Sequence, residues 1–151
     1  MLLEFSAMRA DVNLPQRSNP SDAGLDIFFS PSVDKGVRVE PGQSVVLETG
    51  LKFGVPHGYM LEVKNRSSVA SKRSLLVGAC VIDSGYAGEV KINLHNVGTE
   101  TQVVEPGDKI AQIVMVPIVH FRPILTDEEE LYADGITISD RGAGGFGSTG
   151  K

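Results

Sequence analysis

Hydrophobic residues fall along this chain in short runs, at 2–5, 25–29, 37–39, 45–47, 51–55, 59–63, 75–77, 90–94 and 110–119, each bounded by Gly, Pro, Asn or Asp. None keeps a helical period over three turns. The clearest pattern lies at 89–95, where Val90, Ile92 and Leu94 alternate with Glu89, Lys91, Asn93 and His95. That is the period of a half-buried strand. Many short strands separated by turn signals predict an all-β sandwich or barrel. Pro41-Gly42, Pro56-His57-Gly58 and Pro106-Gly107-Asp108 are predicted turns, because proline presets φ and glycine accepts a positive φ. One stretch departs from the pattern. Residues 66–73, RSSVASKR, combine serines suited to an N-cap with basic residues in the last turn, which predicts a helix of two turns at most.

The stretch from Val81 to His95, VIDSGYAGEVKINLH, organises the rest. Val81 and Ile82 form an apolar run, Asp83-Ser84-Gly85 supply turn chemistry, and the long strand follows. Together they predict a β-hairpin whose loop holds Asp83 beside Tyr86. Such a carboxylate either caps its own turn through a local hydrogen bond or holds a water against a ligand lying on the ribbon. Local sequence favours the cap.

Composition narrows the class. The chain has 151 residues and is 41% hydrophobic, enough for one domain with a real core. A formal charge of −5 with no basic block argues against stable nucleic-acid binding. Cys80 is the one cysteine, so no intrachain disulfide can form and a reducing compartment is the natural setting. MLLEFSAMRAD lacks the basic and apolar regions of a secretory signal, and IVMVPIV at 113–119 is too short to span a bilayer. These features predict a soluble domain in the cytoplasm, or in the host-cell interior or nucleus if the source is viral or eukaryotic.

Four further features carry potential chemistry. Arg66 with Ser67 and Ser68 opens the predicted helix, where free N–H groups attract phosphate; an ordinary serine cap with a surface arginine explains the same residues. Asp26 interrupts the apolar run of AGLDI, and Gln112 is polar among apolar neighbours in PGDKIAQ. Beyond the acid run at 127–130 the chain reads RGAGGFGSTG from Arg141 to Gly150, five of those ten residues glycine. Glycine loses the most backbone entropy on ordering, so this segment reads as a mobile tail. It also interleaves a forked cation (Arg141), a ring (Phe146) and the closely spaced amides and hydroxyls of Gly147, Ser148 and Thr149, the parts of a lid over a nucleotide.

In their order, AGLDI, NRSSVASK, GACVIDSGYAGEV, PGDKIAQ and RGAGGFGSTG strongly resemble the five motifs of the trimeric, all-β deoxyuridine triphosphatases (dUTPases). The resemblance spans 23–150. It implies a β jelly-roll (a distorted β-barrel) over 1–125 with one short helix, and a flexible linker and arm over 126–151. It further implies a homotrimer with sites between subunits, each closed by a neighbour's arm. About 25 residues beyond Leu125 could span up to ~80 Å when extended, enough to reach one.

The implied reaction is hydrolysis of dUTP to dUMP and pyrophosphate with Mg²⁺, by attack of water on the α-phosphorus. Asp83 then matches the carboxylate that activates the water, and Tyr86 the ring under the deoxyribose. Main-chain groups near Cys80, Val81, Ile82 and Lys91 would read the uracil edge. Arg66, Ser67 and Ser68 match the phosphate grip, Gln112 the polar group near the α-phosphate, and Asp26 the acid holding hydrated Mg²⁺. Arg141, Phe146, Gly147, Ser148 and Thr149 match the arm's phosphate, base and γ-phosphate contacts. The chain departs from the pattern at Cys80, often Gly, at Gly85, often an acid, at Asn65 and at Lys91. A dUTPase-like regulatory module and a deoxycytidine triphosphate deaminase are the competing readings; the deaminases share an RSS helix but not the arm.

Overall fold

The computed structural model describes residues 1–131 together with Gly144. Among them are eleven strands and one α-helix, so the chain is mostly β as its patterning predicts. The strands are β1 (Glu4–Ala7), β2 (Leu25–Phe28), β3 (Val37–Val39), β4 (Ser44–Glu48), β5 (Leu51–Gly54), β6 (Tyr59–Lys64), β7 (Leu75–Val77), β8 (Val81–Ile82), β9 (Lys91–Asn96), β10 (Gln102–Val104) and β11 (Lys109–Pro117). The helix α1 (Ser67–Arg73) lies between β6 and β7. Contacts divide the chain into two units, Met1–His120 and Phe121–Lys151. In the second, a 3₁₀ turn at Glu128–Glu130 occupies the acid run.

Among the described residues no single sheet closes into a barrel. A four-stranded sheet runs β2-β11-β6-β8 and a three-stranded one β4-β9-β7, with two ribbons, β1-β5 and β10-β3; each of these strand pairs is antiparallel. The alternation in β9 is realised: Ile92 and Leu94 are fully buried while Lys91 and His95 face outward. Ile27, Leu47, Leu51, Leu61, Leu75, Ile110 and Ile113 join them in one core drawn from both larger sheets.

Two buried polar side chains, Asn96 and Thr49, are satisfied at the joints, as desolvation requires. Asn96, 1% exposed, donates to the carbonyls of Val39 and Glu100 and accepts from Gly98 N–H. Thr49 Oγ1 donates to the Val90 carbonyl at 2.5 Å and accepts from Leu51 N–H. The proline–glycine turns form as predicted: Gly42, Gly58 and Gly107 all hold positive φ.

Two expectations need correction. The segment from Val81 to His95 is not a paired hairpin. β8 pairs with β6, Leu61 opposite Ile82, whereas β9 pairs with β4 and β7. The two runs therefore part company into different sheets. Nor does a serine cap α1. Arg66 is the N-cap, extended at φ −87°, with no side-chain capping bond. Lys72 and Arg73 do stand in the last turn.

Candidate active site

Where β8 and β9 diverge they leave a pocket of ≈ 320 Å³ lined by Val81, Ile82, Asp83, Tyr86, Glu89, Val90 and Lys91. β8 is the edge of its sheet, and on the β7 side no strand pairs with β9 over Lys91 and Ile92 among the described residues. Two strand edges thus face a space in the size range of small-molecule sites. Thr49 fixes one wall through Val90. Tyr86 Oη donates to the Glu89 carbonyl and crosses the mouth, half exposed.

The turn before it is closed by the backbone, Tyr86 N–H to the Asp83 carbonyl, with Gly85 at φ +87°. A side-chain-bearing residue is strained at that φ, which accounts for glycine at this position. Ser84 Oγ anchors the turn to the Val55 carbonyl. The Asp83 carboxylate is exposed and has no hydrogen-bond or ion-pair partner among the described residues. The local cap favoured from sequence is therefore absent, and the carboxylate is free to act on a ligand or a water.

Cys80 does not line the pocket. Its carbonyl accepts from Val63 N–H at 2.7 Å, so at least part of its hydrogen-bonding capacity serves β6. Lys91 lines the wall, its ammonium lying 3.6 Å from Glu89 and 4.0 Å from Glu48.

A second cluster forms at the other end of β6. Gln112 pairs with Asp26 on one side and with Lys64 on the other, which places the three on one face. Arg66 Nε meets Asp26 Oδ1 at 2.7 Å, Lys109 Nζ meets Oδ2 at 2.8 Å, and Ser18 Oγ donates to Oδ2. Gln112 Nε2 donates to the Asn65 carbonyl at 2.9 Å, beside Arg66. At Gly24 a Cβ would lie 2.3 Å from Gln112 Oε1, so any larger residue there displaces the Gln112 side chain. Arg66 Nη1 is left near Ser68 Oγ, at 3.5 Å. Ser67 and Ser68 are exposed at the helix start.

Burial pushes the Asp26 carboxyl up. Hydrogen bonds from Lys109 and Arg66, with their charges, outweigh it and hold Asp26 below its ordinary value. Sequence reasoning singled out Asp26, Arg66 and Gln112 but passed over Lys109 and Gly24, whose roles depend on strand register.

Among the described residues no three His, Cys, Asp or Glu side chains gather to hold a metal. A caged ion does not fit this donor set. Asp26 is nonetheless an ionised carboxylate, and Oδ1, with one short partner, keeps a lone pair for a water. That fits a hydrated cation held chiefly by phosphate oxygens. Arg141, Phe146, Gly147, Ser148 and Thr149 lie outside the described residues.

An all-β domain with a strand-edge pocket, an exposed carboxylate in its lining and a separate cationic cluster suits a ligand with both a flat and an anionic part, and comparison with known proteins gives the class and the family. The dUTPase family model matches residues 10–150. The deoxyuridine 5'-triphosphate nucleotidohydrolase of Chlamydia felis is 36% identical over 149 residues, covering 97% of each chain. A mutant Staphylococcus bacteriophage 80alpha dUTPase with dUpNHpp aligns over 99% of both chains at 29% identity and a TM-score of 0.82. A mutant dUTPase from phage phi11 of S. aureus, which coordinates a structural Mg(II) ion, covers 86% of this chain and 99% of its own at 28% identity and a TM-score of 0.76. The chain belongs to the dUTPase family. No helix among the described residues is long and apolar enough to cross a membrane.

Proposed function

We propose that this chain hydrolyses dUTP to dUMP and pyrophosphate, with Asp83 directing a water at the α-phosphorus. The observation that carries the reading is the pocket between β8 and β9, with the exposed Asp83 carboxylate, unpartnered among the described residues, in its lining. A uracil entering there meets main-chain donors and acceptors of Val81, Ile82 and Lys91 on fixed strands. Cytosine offers the opposite donor–acceptor pattern, and the methyl of thymine needs room. Tyr86 lies where the sugar would rest, and a ribose 2′-hydroxyl would crowd its ring.

The triphosphate belongs at the cluster of Asp26, Arg66, Ser67, Ser68 and Gln112. Phosphoryl transfer depends on charge neutralisation and alignment more than on covalent chemistry, and this cluster supplies both. Mg²⁺, held by substrate phosphates with Asp26 binding its water shell, would neutralise oligophosphate charge. Asp83 accepts the proton of the attacking water, and Gln112 orients the α-phosphate end. The arm residues Arg141, Phe146 and Gly147 to Thr149 would close over phosphate and base.

One chain holds these two half-sites apart. β8 and β11 flank β6 on opposite sides. Ile82 stands opposite Leu61 and Gln112 opposite Lys64, three residues or roughly 10 Å further along the strand. A site completed between copies of the chain, as in a homotrimer, brings one copy's pocket to another's cationic cluster. Pyrophosphate release is measured with dUTP and the four common deoxynucleotides, with and without Mg²⁺, alongside sedimentation. The reading requires Mg²⁺-dependent turnover of dUTP alone by a trimer. No release from dUTP, or equal release from dTTP, refutes it.

A further inference from the structure

Strand β11 carries one residue too many for its partner β2. Ile113 faces Leu25, Gln112 faces Asp26 and Ala111 faces Ile27, but Lys109, not Ile110, faces Phe28. Ile110 is the extra residue, and both it and Ala111 are buried. Side chains alternate along a strand, so Lys109 and Gln112, three apart, would ordinarily point to opposite faces. The bulge cancels one alternation. Gln112 shares the face of Asp26 by direct pairing, and Lys109 shares it by pairing with Phe28, two residues further on. The Lys109 ammonium sits over the Phe28 ring, 5.6 Å from its centroid, and reaches Asp26 Oδ2 at 2.8 Å.

The consequence is electrostatic. Asp26 and Arg66 alone form a neutral pair, with Arg66 Nε and Nη2 both turned to the carboxylate. Adding Lys109 makes one acid and two cations, a cluster with one net positive charge. An incoming oligophosphate then meets a cationic group and not a neutral one.

We propose that Lys109 is a positioning residue of the phosphate end: acting through Asp26, it offsets the carboxylate's charge so that the Arg66 guanidinium is held in place and remains available to the triphosphate. This rests on the assignment of Asp26 and Arg66 to the triphosphate given above.

The test uses full-length Lys109→Met, Lys109→Arg and Lys109→Met/Asp26→Asn. Affinities are measured for the non-hydrolysable α,β-imido analogue of dUTP and for deoxyuridine, which has no phosphate, in chelator and in Mg²⁺. Lys109→Met binds the analogue about tenfold more weakly or worse, with deoxyuridine binding unchanged. Lys109→Arg restores the affinity. The double variant, whose cluster again carries one net positive charge, recovers most of the metal-free affinity. Analogue binding by Lys109→Met within twofold of the parent overturns the proposal. So does a parallel loss of deoxyuridine binding, or failure of arginine or the double variant to rescue. If Lys109→Met does not fold, Lys109→Gln, which can still hydrogen-bond to Asp26 without the charge, is judged by the same outcomes. A parent chain that leaves dUTP uncut refutes the dUTPase reading itself, whereas an active parent matched by Lys109→Met refutes only the role of Lys109.

Discussion

Arg66 Nε donates to Asp26 Oδ1 across 2.7 Å, tying the N-cap of α1 to the middle of β2, forty residues away. Burial raises the Asp26 pKa, but Lys109 and Arg66 lower it by more, so the folded carboxyl titrates below its ordinary 3.8. A depressed folded pKa contributes stability that is fully present above the unfolded value and is lost as pH falls through the folded one. Asp26→Asn is therefore expected to be less stable than the parent at pH 7, with the gap narrowing as pH drops below about 4. Urea midpoints at pH 7, 5 and 3 measure it; a gap independent of pH would remove the ion cluster as its source.

Asp83→Asn is expected to separate activity from stability. The side chain is exposed and unpartnered among the described residues, so the melting temperature should stay close to the parent's. Turnover of dUTP should fall by roughly 10²–10⁴, the usual worth of a general base. Retained turnover would strip Asp83 of its role.

Gly24→Ala presses a methyl against Gln112, with Cβ 2.3 Å from Oε1 and 3.0 Å from Cδ. The side chain must give way and lose its bond to the Asn65 carbonyl. A fall in kcat with a modest change in melting temperature is expected. In a double-mutant cycle, Gly24→Ala should add little to Gln112→Ala, because both act through the same amide. Full additivity would show that Gly24 matters for another reason.

Thr49→Val keeps the shape and removes a hydroxyl that is fully buried between the Val90 carbonyl and Leu51 N–H. Leaving those groups unpaired costs about 1–3 kcal/mol. Because Val90 lines the pocket, KM for dUTP should rise as well. Denaturant melts and steady-state kinetics read the two effects separately.

Much of this was legible from residues alone. Alternation at Val90, Ile92 and Leu94 gave β9 its buried face, and the proline–glycine pairs gave turns that all form. Asp26, Arg66 and Gln112, scattered over almost ninety residues, do converge, which local sequence could not indicate and the family resemblance could. Strand partnership was not legible. Val81-Ile82 followed by a turn and a strand looks like a hairpin, yet β8 pairs with β6. The bulge at Ile110 left no mark in composition, so nothing in PGDKIAQ singled out Lys109. β10, at Gln102–Val104, was missed because only Val103 and Val104 in it are apolar, whereas the equally short β3 and β7 were found.

The two walls of the pocket belong to different sheets, β8 paired to β6 at Leu61 and β9 paired to β4 at Leu47. The width of the opening thus depends on how those two sheets pack on their shared core. Trimming Leu61 or Leu47, which no nucleotide touches, should loosen the gap between the walls and relax discrimination against a 5-methyl pyrimidine before catalysis itself suffers. On the proposed reading, fidelity becomes a property of the interior as much as of the contact surface.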